Sequence, residues 1–202
     1  MKTHFYRNIN DYKNGLDCIS SVESYLNEDN TIVKYRLEIL DNLAVCYAGT
    51  GDIEKAIDYF SQFEDLSEKT FGYNSKSTLL STIYFADALL VGGSSEVCRY
   101  LEKAEKLVEY LHLQESIYNA RLKNCMGVYL SDYEGKHVLA RKNCEEAKDI
   151  LEKIGADDTP LYNQVIQNLD YLKDAILKEI IRDMAKNMMS DSEYHNEEDN
   201  DE

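Results

Sequence analysis

The chain has 202 residues, of which 38 are acidic and 22 are basic, so its formal charge near neutral pH is −16. This balance argues against nucleic acid as a partner, because a phosphate backbone requires a clustered positive field. No apolar run approaches the roughly 18 residues of a membrane span, so membrane insertion is not expected. One proline and nine glycines supply too little turn chemistry for a many-stranded sandwich or barrel. These features predict an all-α protein.

The predicted elements in chain order are a short lead-in, eight helices and an acidic tail. Residues 1–10 form the lead-in and lack the apolar segment of a secretory signal. Amphipathic spacing then predicts helices over residues 11–27, 32–48, 53–70, 76–91, 95–112, 115–131, 136–153 and 160–188. Residues 190–202 carry seven acidic side chains and neither lysine nor arginine, so we expect a disordered tail.

A repeat of about 42 residues organises these helices. Residues 11–25 align with residues 52–66 at an offset of 41, and their apolar positions coincide as one stripe of an amphipathic helix. The same stripe returns twice further along the chain. One column of equivalent positions is therefore predicted to be buried: Ile19, Phe60, Leu101 and Cys144.

A second kind of helix alternates with the first. Residues 40–47 recur 82 positions later as residues 122–129, residues 82–89 fit between them, and residues 166–169 begin a fourth copy. Glycines separate the predicted elements, since glycine tolerates the backbone of a helix end. Helix pairs are thus expected near residues 32–70, 76–112 and 115–153, with the long last helix completing an array over residues 11–189. No single pair can bury its apolar stripe, so neighbouring pairs are expected to stack.

The best-matching repeat resembles the tetratricopeptide repeat. Its signature is matched in order by Leu43, Ala44, Tyr47, Gly51, Asp52, Ala56 and Phe60. The spacing, and the link over residues 68–72, are more similar to the variant found in kinesin light chain. The resemblance covers residues 11–178 and implies a right-handed solenoid of antiparallel helix pairs with a concave groove.

The resemblance also implies a binding function for that groove. In proteins of this family the first helix of each pair lines the groove, and an asparagine there holds the peptide backbone through its amide. That role, or a neighbouring contact, falls to Asp41, Asn42, Tyr84, Asp87, Arg121, Asn124 and Asn168. Asp41 and Asp87 favour a neutral or basic segment as the ligand. The alternative is that each asparagine is only a solvated or helix-capping residue, and Tyr84 a core residue.

The sequence lacks the signatures of catalysis, cofactor binding and metal binding. It contains no nucleophile elbow, phosphate loop, dinucleotide fingerprint or His-Glu-x-x-His motif. The five cysteines are dispersed without a Cys-x-x-Cys pair, which is typical of reduced thiols in a cytosol and not of a zinc site. We therefore expect a non-enzymatic cytoplasmic protein without a cofactor.

Three interpretations of a non-catalytic array remain open. The first is an adaptor that binds a peptide segment of a partner protein. The second is a regulatory sensor that resembles bacterial peptide-pheromone receptors but has no room for a DNA-binding domain before residue 11. The third is a fixed subunit of a larger complex, with contacts either at the incomplete first helix pair or along the helix over residues 160–188. Near the end of that helix, Met184, Met188 and Met189 are adaptable apolar groups, and the alternative is that they only cap the array.

Overall fold

The computed structural model describes residues 11–27, 32–72 and 74–198, and this part of the chain is helical without strands. It confirms the all-α fold class. The elements in chain order are α1 (Tyr12–Ser20), a 3₁₀-helix (Glu23–Asn27), α2 (Val33–Gly49), α3 (Ile53–Phe71), α4 (Lys76–Val91), α5 (Val97–Tyr110), α6 (Ile117–Asp132), α7 (His137–Lys153) and α8 (Pro160–Glu198). The predicted lead-in over residues 1–10 lies outside the described residues.

Side-chain caps fix where several helices begin. Helices α3, α4 and α6 each begin with a cap, in which a side-chain oxygen accepts a hydrogen bond from the backbone N–H three residues later. The capping residues are Asp52 for α3, Ser75 for α4 and Ser116 for α6. At α8 the Thr159 hydroxyl accepts from the Tyr162 N–H at 3.2 Å, and Pro160 is the first helical residue, as predicted. These caps satisfy N–H groups that have no partner within the helix.

The first and last helices differ from their predicted bounds. The helix predicted over residues 11–27 ends at Ser20 and is followed by the 3₁₀-helix. The hydroxyls of Ser20 and Ser21 bond back to preceding carbonyls, a local pattern that competes with helix continuation. At the other end α8 continues to Glu198, so most of the segment predicted to be disordered is helical, and residues 199–202 lie outside the description. No glycine or proline follows Pro160, so nothing in the sequence interrupts helix propagation.

The helices pack in an order that follows the sequence repeat. Each of α2, α4 and α6 packs against the helix that follows it. The same three helices also contact one another in series, α2 with α4 and α4 with α6, and α6 then contacts α8. Helix α1 packs on α2, and α7 packs on α8. Alternate helices therefore form a continuous row within the described part of the chain.

The buried core contains the predicted apolar column. Ile19, Phe60, Leu101 and Cys144 are all buried, on α1, α3, α5 and α7 respectively. At the centre of the core, Phe60 of α3, Phe85 of α4 and Tyr100 of α5 stack or meet edge to face. These rings join the helix pair α2–α3 to the next pair. Aromatic contacts of this kind stabilise the packing beyond the contribution of the buried area.

Glycines with a left-handed backbone occupy several of the turns between helices. Gly51, Gly93 and Gly135 have positive φ angles at the turns where the sequence predicted breaks between helices. A left-handed backbone is sterically costly for other residues, so these positions favour glycine.

Within the described residues, no helix is both long enough and apolar enough to cross a membrane.

Candidate binding cleft

A cleft of about 550 Å³ lies along the row of alternate helices. Its size falls within the range of roughly 300–1,000 Å³ that is usual for ligand sites. The lining residues come from the start of α1, from α2, α4 and α6, and from the start of α8: Tyr12, Val45, Tyr84, Asp87, Ile117, Arg121, Thr159, Pro160, Leu161 and Gln164. Four non-consecutive helices thus contribute to one concave surface, together with the first residue of α1.

The cleft crosses its helices obliquely. It meets α2 near the C-terminal end at Val45 and meets α4 past its middle at Tyr84 and Asp87. It then meets α6 in its first two turns at Ile117 and Arg121, and α8 in its first turns. Residues at equivalent positions of the repeat therefore do not all reach the same cleft.

Tyr84 and Arg121 form one contact within the cleft. The Arg121 guanidinium carbon lies 4.9 Å from the centre of the Tyr84 ring, so α6 and α4 are linked by a cation–π contact. The guanidinium face is occupied by the ring, and its N–H groups lie at the edge, where a ligand carbonyl or carboxylate can accept from them. Two residues selected from the sequence thus meet at this site.

Asp87 adds a carboxyl group to the lining of the same cleft. The Cys125 thiol donates to Asp87 Oδ1 at a sulfur–oxygen distance of 3.7 Å. Loss of hydration raises the pKa of the Asp87 carboxyl, while the nearby Arg121 guanidinium and the Cys125 hydrogen bond oppose that rise. Burial also raises the pKa of the Cys125 thiol well above its ordinary value, so this group is held as a neutral thiol. The site thus combines a carboxyl and a guanidinium group among aromatic and aliphatic residues.

The predicted asparagines occupy other positions. Asn42 is fully buried on α2, and its amide nitrogen donates to the Glu38 carbonyl oxygen at 2.6 Å. Asn124 is buried on α6, and its side-chain oxygen accepts a hydrogen bond from the Asn168 amide of α8 at 2.8 Å. The pair therefore bridges two helices of the row. Neither Asn42 nor Asn124 lines the 550 Å³ cleft.

Asn168 and Asp41 complete the set selected from the sequence. Asn168 lines a second cleft, of about 350 Å³, between the C-terminal half of α6 and α8. Asp41 is partly exposed on α2 and does not line either of these two clefts. The structure therefore brings Tyr84, Asp87 and Arg121 together in one cleft. The ligand contacts assigned to all seven residues stay predictions.

Several lining residues were not selected from the sequence. Ile117 lies one turn before Arg121, and Gln164 lies one turn before Asn168, on the same faces of their helices. This helical spacing was a usable signal for both residues. Tyr12 and Val45 gave no such signal, because an apolar residue in a helical repeat is normally assigned to the core.

The described residues contain no group of three or more histidine, cysteine or carboxylate side chains that could hold a metal ion.

No protein-family model matches the chain, and no curated protein sequence is detectably similar to it.

Proposed function

We propose that the chain is a non-catalytic protein-interaction module that binds a peptide segment of a partner protein along its concave side. The single observation that carries the proposal is the cleft of about 550 Å³ built from four alternate helices. Its lining offers aromatic and aliphatic surface together with one carboxylate and one guanidinium. Such a mixture suits a peptide, because side chains can be buried while main-chain polar groups keep partners.

The proposal includes a right-handed solenoid of the tetratricopeptide type. It is supported by the period of about 42 residues in the sequence and by the serial contacts of α2, α4, α6 and α8. In a stacked array the curvature produces an extended concave surface, which such proteins use for binding. A cytosolic location follows only from the dispersed cysteines and belongs to the proposal.

The function can be tested by selecting peptides from a displayed library of short random sequences on the purified full chain. Ile117 lines the cleft and is 40% exposed, so Ile117→Glu places a charge in the site without disturbing the core. Val138 of α7 is 70% exposed and does not line the cleft, so Val138→Glu is the matched control. We expect selected peptides to lose at least about tenfold in affinity for Ile117→Glu and to bind Val138→Glu normally. Equal binding by both variants would place the site elsewhere.

A fixed subunit of a larger complex is the second candidate. It is favoured by an exposed apolar stripe on α8: Leu177, Ile180, Ile181 and Met184. Contiguous exposed apolar surface often marks a protein interface. If the chain is such a subunit, the charge introduced by Ile181→Glu should abolish co-purification of a stoichiometric partner. If the chain is a peptide-binding module instead, the same variant should bind peptides like wild type. The peptide-sensor alternative stays a prediction.

A further inference from the structure

The chemistry of the cleft narrows the class of ligand, if the proposed function holds. Asp87 accepts from a thiol, which is a weak donor, at 3.7 Å. Among the described residues, no guanidinium or ammonium group lies within 4.0 Å of its carboxylate. An ionised carboxylate has about four acceptor positions, so most of its capacity is open to a group inside the cleft.

Arg121 supplies the opposite chemistry on the neighbouring helix. Its guanidinium stacks on Tyr84 and carries donors but no acceptor. A basic ligand group brought to Asp87 would therefore meet a fixed positive charge beside it. An acidic group brought to Arg121 would likewise meet the carboxylate of Asp87. Both kinds of charged ligand face one like charge, and like charges close together are unfavourable.

We propose that Asp87 and Arg121 together bind one uncharged amide group of the ligand. The amide N–H donates to the Asp87 carboxylate, and the amide C=O accepts from the Arg121 guanidinium. An apolar ligand side chain next to this amide packs against Ile117 and Pro160, which are exposed apolar residues of the lining. The occupant is thus a peptide segment that is uncharged where it crosses α4 and α6.

The test is a peptide selection on the full chain and on two near-isosteric variants, with peptides drawn from a library of short random sequences. Asp87→Asn leaves the cleft with the charge of Arg121, and Arg121→Gln leaves it with the charge of Asp87. We expect wild type to enrich uncharged segments, Asp87→Asn to shift toward acidic ones and Arg121→Gln toward basic ones, each by at least about tenfold. The matched controls are Glu96→Gln and Arg99→Gln, an exposed ion pair at the start of α5 and outside the cleft, and they should keep the wild-type preference.

The outcomes separate this inference from the proposed function. Peptides that bind wild type with a charged core, or with a preference that neither variant changes, would overturn the amide assignment and leave peptide binding intact. A wild-type chain that enriches no peptide at all would overturn both proposals. Circular dichroism of each variant confirms that a change in preference does not come from unfolding.

A further experiment determines whether the bound amide belongs to the peptide backbone or to a peptide side chain. It uses the wild-type protein, which avoids any effect of substitution on folding. One enriched peptide is N-methylated at each backbone position in turn, which removes one N–H donor at a time. Loss of binding at a single position identifies a backbone amide, whereas loss only when a particular Asn or Gln is replaced identifies a side-chain amide. Peptides that tolerate every N-methylation and every such replacement would contradict the proposal.

Discussion

The ring of Phe60 lies almost parallel to the ring of Phe85, with their centroids 4.2 Å apart and their planes inclined by 5°. Both side chains are fully buried, and Tyr100 meets each ring edge-on. The contact joins α3 to α4 across the boundary between two repeats. We therefore expect Phe60→Ala to lower the free energy of unfolding by about 3–5 kcal/mol, measured by urea denaturation.

Phe71 provides the control for this substitution, because it lies on the same helix and is 56% exposed. Phe71→Ala should change stability by no more than about 0.5 kcal/mol. Equal stability of Phe60→Ala and wild type would contradict the assignment of Phe60 to the seam between repeats.

Gly127 sets how closely α6 and α7 approach. A Cβ atom at this position would lie 2.5 Å from Cys144 Sγ and 3.1 Å from the Ala140 carbonyl oxygen. We expect Gly127→Ala to destabilise the chain by about 1–3 kcal/mol, although the same change in an unobstructed helix is favourable. Thermal melting of Gly127→Ala, Cys144→Ala and the double variant forms a double-mutant cycle. The two costs should not add, since Cys144→Ala removes the sulfur that the new methyl group meets, and simple additivity would be inconsistent with this contact.

Asp87 makes stability depend on pH. Because burial raises the pKa of its carboxyl in the folded state, the folded chain binds the proton more tightly than the unfolded chain. Ionisation of Asp87 therefore costs stability, and that cost is absent below the ordinary pKa and grows as the pH rises through the raised value. We expect Asp87→Asn to melt at a higher temperature than wild type near neutral pH, with the difference shrinking toward about pH 4.

Thermal melts of wild type and Asp87→Asn across this pH range measure the effect, and Glu96→Gln of the exposed ion pair serves as the control. A variant that is less stable than wild type at neutral pH would show that the Arg121 attraction outweighs the loss of hydration.

The Asn124–Asn168 hydrogen bond predicts a separation between stability and binding. Asn168→Ala leaves the buried oxygen of Asn124 without this partner, which should cost about 1–3 kcal/mol of stability. Peptides selected for the 550 Å³ cleft should bind this variant with unchanged affinity, because neither asparagine lines that cleft. Fluorescence anisotropy with a labelled selected peptide measures the affinity. Lost affinity in a fully folded variant would instead support the role that the repeat resemblance implies for these asparagines.

Much of the fold could be predicted from the sequence because it depends on local and periodic information. The apolar column at Ile19, Phe60, Leu101 and Cys144 indicated buried faces, and Thr159 with Pro160 indicated a helix start. The end of α8 was predicted too early because an acidic composition was given more weight than the absence of helix-breaking residues. Charge density and helix propensity are separate properties, and composition alone does not show which prevails.

The candidate site was less predictable because it depends on how one repeat is rotated against the next. Sequence alignment places Asn42, Asn124 and Asn168 at equivalent positions, but the cleft passes from the end of α2 to the beginning of α8. A small rotation per repeat is enough to move equivalent positions out of one line. Tyr84, Asp87 and Arg121 line one cleft because they lie on helices that are adjacent in the row, and their contacts with a ligand stay a prediction.

Hydrogen exchange of the full chain, measured by mass spectrometry with and without a saturating selected peptide, tests whether the 550 Å³ cleft binds the peptide. We expect slower exchange in α4, in the first turns of α6 and at the start of α8, since these segments line the cleft. Helices α3, α5 and α7, which do not line it, should exchange as in the free chain. Protection confined to α3, α5 and α7 would contradict the concave cleft as the binding surface.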